Sequence, residues 1–309
     1  MEKSEKLELK VDYGLVFGPA DAAVDFLRYA SMLESSDIAQ TVYRDMAAAS
    51  GLTVNQLIEG IVENIGVVEL RSLRQITAML AIARIIESNF GCAQVYGGIS
   101  LGELAALHMA EAASMEKIVK LLRQRHLPDT LVDEAIGFVF IPTGVDYSYY
   151  DSMDHISVSV DYGPVLDGVG RMIMVSGLRS TLESIRTSGP AEIQIVGRDE
   201  ADQAYHSLFR EPGRQRLRSF LERNPFNSPT TPVLTALPQC RKVNSSSEAA
   251  SAILFSETLP LSVPVLIESM EEWRLEKVYA VSSFLGMLKI HFGAPTNYCD
   301  DQWIASMFG

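Results

Sequence analysis

Cysteine is scarce in this chain of 309 residues. Cys92, Cys240 and Cys299 are too few and too scattered for a disulfide framework or a zinc site, so a reduced, cytoplasmic protein without a metal is expected. Cys92 lies in an apolar run and is expected to be a small core residue. No stretch approaches the roughly 18 uninterrupted apolar residues that a membrane span needs, so no membrane partner is expected. The first eight residues are charged and polar, unlike a secretory signal. Basic side chains are also in short supply: 26 Lys and Arg face 39 Asp and Glu, for a formal charge of −13. Nucleic-acid binding usually needs a basic face and is not expected. One segment runs against this trend, with Arg210, Arg214, Arg216, Arg218 and Arg223 set against Glu211 and Glu222. It reads either as an exposed helix face or as a docking patch for an anionic partner or a phosphate.

Apolar residues are plentiful, at 47%. The length points to one large domain with an insertion, or to two domains. The most informative stretch is Gly98-Ile99-Ser100-Leu101-Gly102, between a strand-like apolar run and a helix-forming run. This is the G-x-S-x-G pattern of a nucleophile elbow, in which a serine sits on a strained strand-to-helix turn. The first helical turn beyond it offers N–H groups and a positive dipole end to a developing oxyanion.

Periodicity predicts a first buried strand over 11–17, a buried helix over 74–86 and an amphipathic helix over 115–125. Strands are predicted over 137–142, 155–161, 171–176 and 191–196, with helices after the first and third. That β-α-β-β-α-β order is the ferredoxin-like signature and predicts a small inserted subdomain over 129–204. The large α/β core is assigned to 1–128 and 205–309, with helices over 212–223, 247–255 and 264–272 and strands over 231–236 and 277–281.

A serine nucleophile needs a base, and five histidines are available. His108 follows Ser100 on the same helix and is expected to point away from the elbow. His126 ends a helix, where a cation suits the dipole. His155 opens a strand, and His291 lies near the C-terminus. His206 stands where the chain leaves the small subdomain, and such junctions form clefts.

These segments together resemble the malonyl-CoA:acyl carrier protein transacylases and the acyltransferase domains of polyketide synthases. Ser100-Leu-Gly-Glu-Leu-Ala-Ala-Leu107 is similar to the family's GHSLGEYAAL-type elbow. Val119-Lys-Leu-Leu-Arg-Gln-Arg125 resembles the helix carrying its substrate-binding arginine. Gln203-Ala-Tyr-His206 matches the xAxH motif, and Phe226-Asn-Ser-Pro-Thr-Thr-Pro-Val233 resembles a FNAPTVPV-like segment. The resemblance runs from about residue 11 to 293 in the same order, and implies an α/β hydrolase-like core with a parallel sheet.

The resemblance implies Ser100 as nucleophile and His206 as base. The base would be oriented by a backbone carbonyl in the region of Ser262. Leu101 and Ala20 would supply the oxyanion-hole N–H groups, Arg125 would hold a substrate carboxylate, and Gln75 would line the pocket. No cofactor would be bound, acyl-CoA or acyl-phosphopantetheine would be the substrate, and an acyl carrier protein the partner. Arg210, Arg214, Arg216 and Arg218 would then suit docking of the carrier or of coenzyme A.

Four departures stand out. Gly18-Pro-Ala-Asp-Ala22 replaces a GQGSQ-like loop. Ile99 takes the place of a histidine and implies a more apolar pocket for a less usual acyl group. Tyr205 replaces a phenylalanine or serine, and Ser282-Ser-Phe284 replaces a GPG-like turn. Three functions follow from the resemblance: transfer of an acyl group, most simply malonyl or a substituted malonyl, to a carrier protein; hydrolytic editing of acyl carriers; or docking without catalysis.

Overall fold

The computed structural model describes residues 11–21, 32, 34–127 and 132–308. The subdomain junction expected at 128/129 and the charged N-terminal segment lie outside them. Two sheets organise the chain. The larger has six strands: β1 (Tyr13–Phe17), β2 (Val95–Gly98), β7 (Val233–Thr235), β8 (Lys242–Val243), β10 (Lys277–Val281) and β11 (Thr296–Tyr298). Their order across the sheet is β11-β10-β1-β2-β7-β8, parallel except for the antiparallel edge strand β8. All five residues of β1 are buried, because a central parallel strand is covered on both faces. One cover is the helix α3 (Val67–Phe90), 24 residues long and buried on nearly every side.

The second sheet contains β3 (Glu134–Pro142), β4 (Ile156–Val165), β5 (Gly170–Leu178), β6 (Ile193–Ile195) and β9 (Leu261–Ser262), in the order β6-β3-β5-β4-β9. The first four pair antiparallel, as a β-α-β-β-α-β segment with short helices at Ser148–Asp151 and Arg179–Ile185. The fifth strand, β9, has no periodic signal in only two residues. It pairs parallel with β4 through Val160 and Asp161 and ties the two sheets together.

Strand alternation divides the small sheet cleanly. Ala135, Val139, Ile141, Ile173, Val175 and Ile193 build a separate small core with Tyr150, Leu182 and Ile185. Ile136, Phe138, Met172 and Met174, one position out of step, face the other way, toward the main core. In β4 the period alone would put Val158 and Val160 on one face. A register shift between them sends Ile156 and Val158 to the small core, and Val160 and Tyr162 to the main one.

The sequence-predicted strands and helices described so far all form, with boundaries moved by a few residues. One core assignment does not hold: Cys92 is exposed, in the turn between α3 and β2 rather than within the strand.

Candidate active site

Ser100 sits between β2 and the helix α4 (Leu101–Met109), with φ 56° and ψ −112°. A side chain holds such a left-handed backbone only where its surroundings enforce it. The two glycines enforce it by closeness. A Cβ on Gly98 would lie 2.6 Å from the Glu103 Cα, and one on Gly102 would lie 2.2 Å from the Phe17 carbonyl oxygen. The turn is therefore wedged between its own helix and the end of β1. The Leu101 N–H begins α4, outside the helix's own hydrogen-bond ladder.

His206 also has a positive φ, 56°. Its Nε2 lies 2.8 Å from Ser100 Oγ, and its Nδ1 bonds the backbone carbonyl of Ser256. A carbonyl can only accept, so Nδ1 carries the ring proton and Nε2 accepts from the serine hydroxyl. Burial lowers the His206 pKa to about 4, so the imidazole is neutral at pH 7.

The orienting carbonyl is Ser256's and does not come from the Ser262 region. Ser256 lies in the helix Ser246–Thr258, and the N–H that would cap its carbonyl belongs to position 260. That position is proline, which has no N–H, so the Ser256 carbonyl is free to take the imidazole. Ser262 instead donates its own N–H to the Ala236 carbonyl at 2.7 Å, within the β9 connection.

A cavity of about 280 Å³ opens at this pair. Ala20, Gln75, Ser100, Leu101, Arg125, Tyr205 and His206 all line it. Gln75 takes the backbone N–H of Asp21 at 3.3 Å and donates to the Asp21 carbonyl, so it braces the loop that carries Ala20. The buried Asp21 carboxylate in turn accepts the Phe284 N–H at 3.0 Å. Tyr205 donates its hydroxyl to Asp202 at 3.2 Å.

Ile99 is not part of this cavity. Its side chain is fully buried in the main core, because Ile99 and Ser100 point to opposite sides of the elbow. The apolar character expected from Ile99 comes instead from the small sheet. Ile136, Phe138, Val160, Tyr162, Met172 and Met174 line the opposite wall.

Arg125 ends the helix α5 (Met115–His126) and is buried. Its Nε bonds Glu257 Oε1 at 2.5 Å. Glu257 also receives Arg210 Nη2 at 3.2 Å, and the same nitrogen donates to the Arg125 carbonyl at 2.9 Å. Two guanidiniums thus share one carboxylate. Glu257 is held ionised by Arg125 and Arg210 against the upward push of burial. Burial pushes Glu103, behind the serine, up to about 8, so it is mostly protonated at neutral pH.

Arg210 therefore does not belong to a surface patch: it is 1% exposed, in the short turn before the helix Glu211–Arg223. The other three arginines are dispersed. Arg214 pairs with Glu211 at 2.7 Å, and Arg216 donates to the Gln124 and Leu127 carbonyls at the end of α5. Arg218 is exposed.

The remaining histidines take no part in the serine's chemistry. His108 bonds the Ala113 carbonyl at 2.9 Å, and His155 and His291 stand on the surface. His126 is not the helix-end cation that its position predicts. It lines the cavity, and burial with Arg125 beside it lowers its pKa to about 3. Sequence reasoning missed His126, Ser256 and Glu257 as site residues. Only Ser256 left a usable signal, the proline four positions on. Among the described residues no cluster of His, Cys, Asp and Glu could hold a metal ion, and no helix is long and apolar enough to cross a membrane.

No protein-family model matches the chain, and no curated protein matches it by sequence. Solved structures do match. The malonyl CoA-acyl carrier protein transacylase of Coxiella burnetii is 19% identical, with a TM-score of 0.79 over 97% of each chain. The malonyl-CoA:ACP transacylase of Synechocystis is 15% identical, with a TM-score of 0.79 over 96% of this chain and 99% of that one. A malonyl-transacylase solved in complex with its type II polyketide synthase acyl-carrier protein is 16% identical, with a TM-score of 0.78 over 96% and 99%. At these identities the likeness is one of fold: the chain is a mixed α/β protein with the architecture of these transacylases.

Proposed function

We propose that the protein is an acyltransferase that carries an acyl group on Ser100 and passes it to the phosphopantetheine thiol of an acyl carrier protein. The observation that carries this reading is the Ser100–His206–Ser256 chain of hydrogen bonds at the mouth of a cavity containing Arg125. In this reading 129–204 is a ferredoxin-like insert in a hydrolase-like core made of 1–128 and 205–309. The protein works in the cytoplasm, without a bound cofactor.

The chemistry follows from the hydrogen bonds. Ser100 Oγ attacks the thioester carbonyl of acyl-CoA or an acyl carrier while His206 Nε2 takes the hydroxyl proton. The oxyanion is received by the Leu101 N–H and the loop at Ala20, donors of a kind typically worth about 10²–10³ in rate. The C–S bond breaks, the thiol leaves with the proton from His206, and Ser100 is left esterified. An incoming pantetheine thiol then gives its proton to His206, attacks the ester and regenerates the serine. The Ser256 carbonyl steadies the transient imidazolium without adding a buried carboxylate. Arg125 holds a carboxylate on the acyl group, which favours malonyl or a substituted malonyl, and its fixed guanidinium plane suits that task better than a lysine would.

The carrier as partner is supported by the likeness to a transacylase solved with its acyl-carrier protein. The test is to incubate the protein with malonyl-CoA labelled in the acyl group, then add a phosphopantetheinylated carrier protein. Label moving from the protein to the carrier supports transfer. Label released as free acid, with none on the carrier, replaces transfer with hydrolytic editing. No labelled protein with any CoA or carrier thioester ends both readings.

A further inference from the structure

His126 is among the polar side chains of the cavity that acyl transfer through Ser100 and His206 leaves unused. His126 follows Arg125 at the end of α5, and its ring lines the same cavity. Its Nε2 lies 3.1 Å from Ser72 Oγ. Ser72 has no other side-chain hydrogen bond among the described residues, and the tautomer that satisfies its hydroxyl proton is the one in which it donates to Nε2 and the ring proton sits on Nδ1. That Nδ1–H is buried and has no partner among the described residues. The same is true of Arg125 Nη2, whose Nε is already spent on Glu257.

Two buried donors on consecutive residues are thus left unsatisfied at one cavity. Buried polar groups are ordinarily paired, so a missing acceptor is expected to arrive with the ligand. A carboxylate suits both donors: Arg125 brings a guanidinium cation to the cavity, and burial keeps His126 a neutral imidazole beside it.

Resting on the acyl-transfer reading, we propose that the His126 Nδ1–H is the second donor to the carboxylate held by Arg125. It would make His126 a specificity-determining residue for acyl thioesters that carry a carboxylate. Tyr205, edge-on to His126 at 6.5 Å between ring centres, closes the other side of the imidazole.

The test compares Ser100 acylation by malonyl-CoA and acetyl-CoA, read as a ratio of kcat/KM. His126→Phe keeps a ring but loses the N–H, and the malonyl-to-acetyl ratio should fall at least tenfold, as a hydrogen bond to a charged group implies. His126→Asn places an amide N–H near the position of Nδ1 and should return the ratio to within about threefold of wild type. Should His126→Phe fail to fold, Ser72→Ala carries the test. Without the hydroxyl the ring proton is free to move to Nε2, and the ratio should fall about threefold. A ratio within twofold of wild type in the folded Phe variant, or an Asn variant no better than Phe, overturns the assignment. In its place, unchanged ratios in a folded Ser72→Ala protein overturn it too. The relative binding of the two thioesters to a Ser100→Ala protein, with and without the His126 changes, reads His126 independently of catalysis. A wild type that no thioester acylates would therefore end the acyl-transfer reading while leaving this one decidable.

Discussion

On one side of the cavity, six apolar side chains from β3, β4 and β5 face the space; on the other, Arg125 and Glu257 line it, with the buried Arg210 bonded to both. The apolar wall is made by a repeating local rule, in which every second residue of a strand faces the same way. The charged wall is made by single pairings across long stretches of chain, with Arg125 and Glu257 132 residues apart in sequence. A wall of the first kind tolerates change, because each side chain contributes a share of a surface. A wall of the second kind does not, because removing one partner strands a buried charge.

The sharpest way to break the comparison is Glu257→Leu. It leaves Arg125 and Arg210 buried without their shared carboxylate, and should cost about 3–5 kcal/mol in denaturant unfolding. Adding both Arg125→Met and Arg210→Met to the same protein should recover more than half of that loss, since replacing every member of a buried ionic cluster is often close to neutral. A triple variant as unstable as the single one would show that the charges do not form a unit.

Within the small sheet, neighbours on opposite faces should differ. Ile173 belongs to the separate small core, and Ile173→Ala should lose about 2–5 kcal/mol. Met174 borders open space, so Met174→Ala should lose about 1–2 kcal/mol, below the usual range for a fully packed site. Equal losses by chemical denaturation would mean that the cavity wall is packed as tightly as the core.

The pH dependence follows from the two buried imidazoles. The folded His206 has a pKa of about 4 and His126 of about 3, both below the unfolded value of about 6.5. Their neutral forms are therefore compatible with the fold above pH 6.5, and stability is lost as the pH falls from 6.5 toward 4. Ser100 acylation needs neutral His206, so its rate per folded molecule should stay level from pH 8 to about 5. A decline centred near 6.5 would mean that the imidazole is solvated. The smallest effect is expected at Arg218, which is exposed. Arg218→Glu should leave Tm within about 1 °C, and should lower kcat/KM for a carrier protein only a few-fold, and only at low salt.

The same contrast explains what could be read from the sequence. The elbow was legible because a strained turn needs glycines at fixed offsets from Ser100. The alternating strands of the small sheet were legible from their period. The register shift after Val158 was not, since nothing in Ile156–Asp161 breaks the alternation. His206 could be nominated from its place at a junction and from the xAxH resemblance, whereas its carbonyl partner was placed six residues too late. The arginine-rich segment gives no sign that Arg210 is buried, because composition does not reveal which side of a turn faces inward. Ile99 takes the place of the family's histidine and so suggests a pocket residue, whereas its side chain is buried in the main core because adjacent residues at the elbow face opposite ways. Glu257 carried no signal, because its meaning depends entirely on two distant partners.

The central claim is that Ser100, deprotonated by His206, carries the acyl group. The most direct measurement is intact-protein and peptide mass spectrometry after brief exposure to malonyl-CoA. The account predicts one malonyl group, located on the peptide containing Ser100, lost on adding a pantetheine thiol, and absent from both Ser100→Ala and His206→Ala proteins. An adduct on another residue, or an undiminished adduct in the His206→Ala protein, would contradict it.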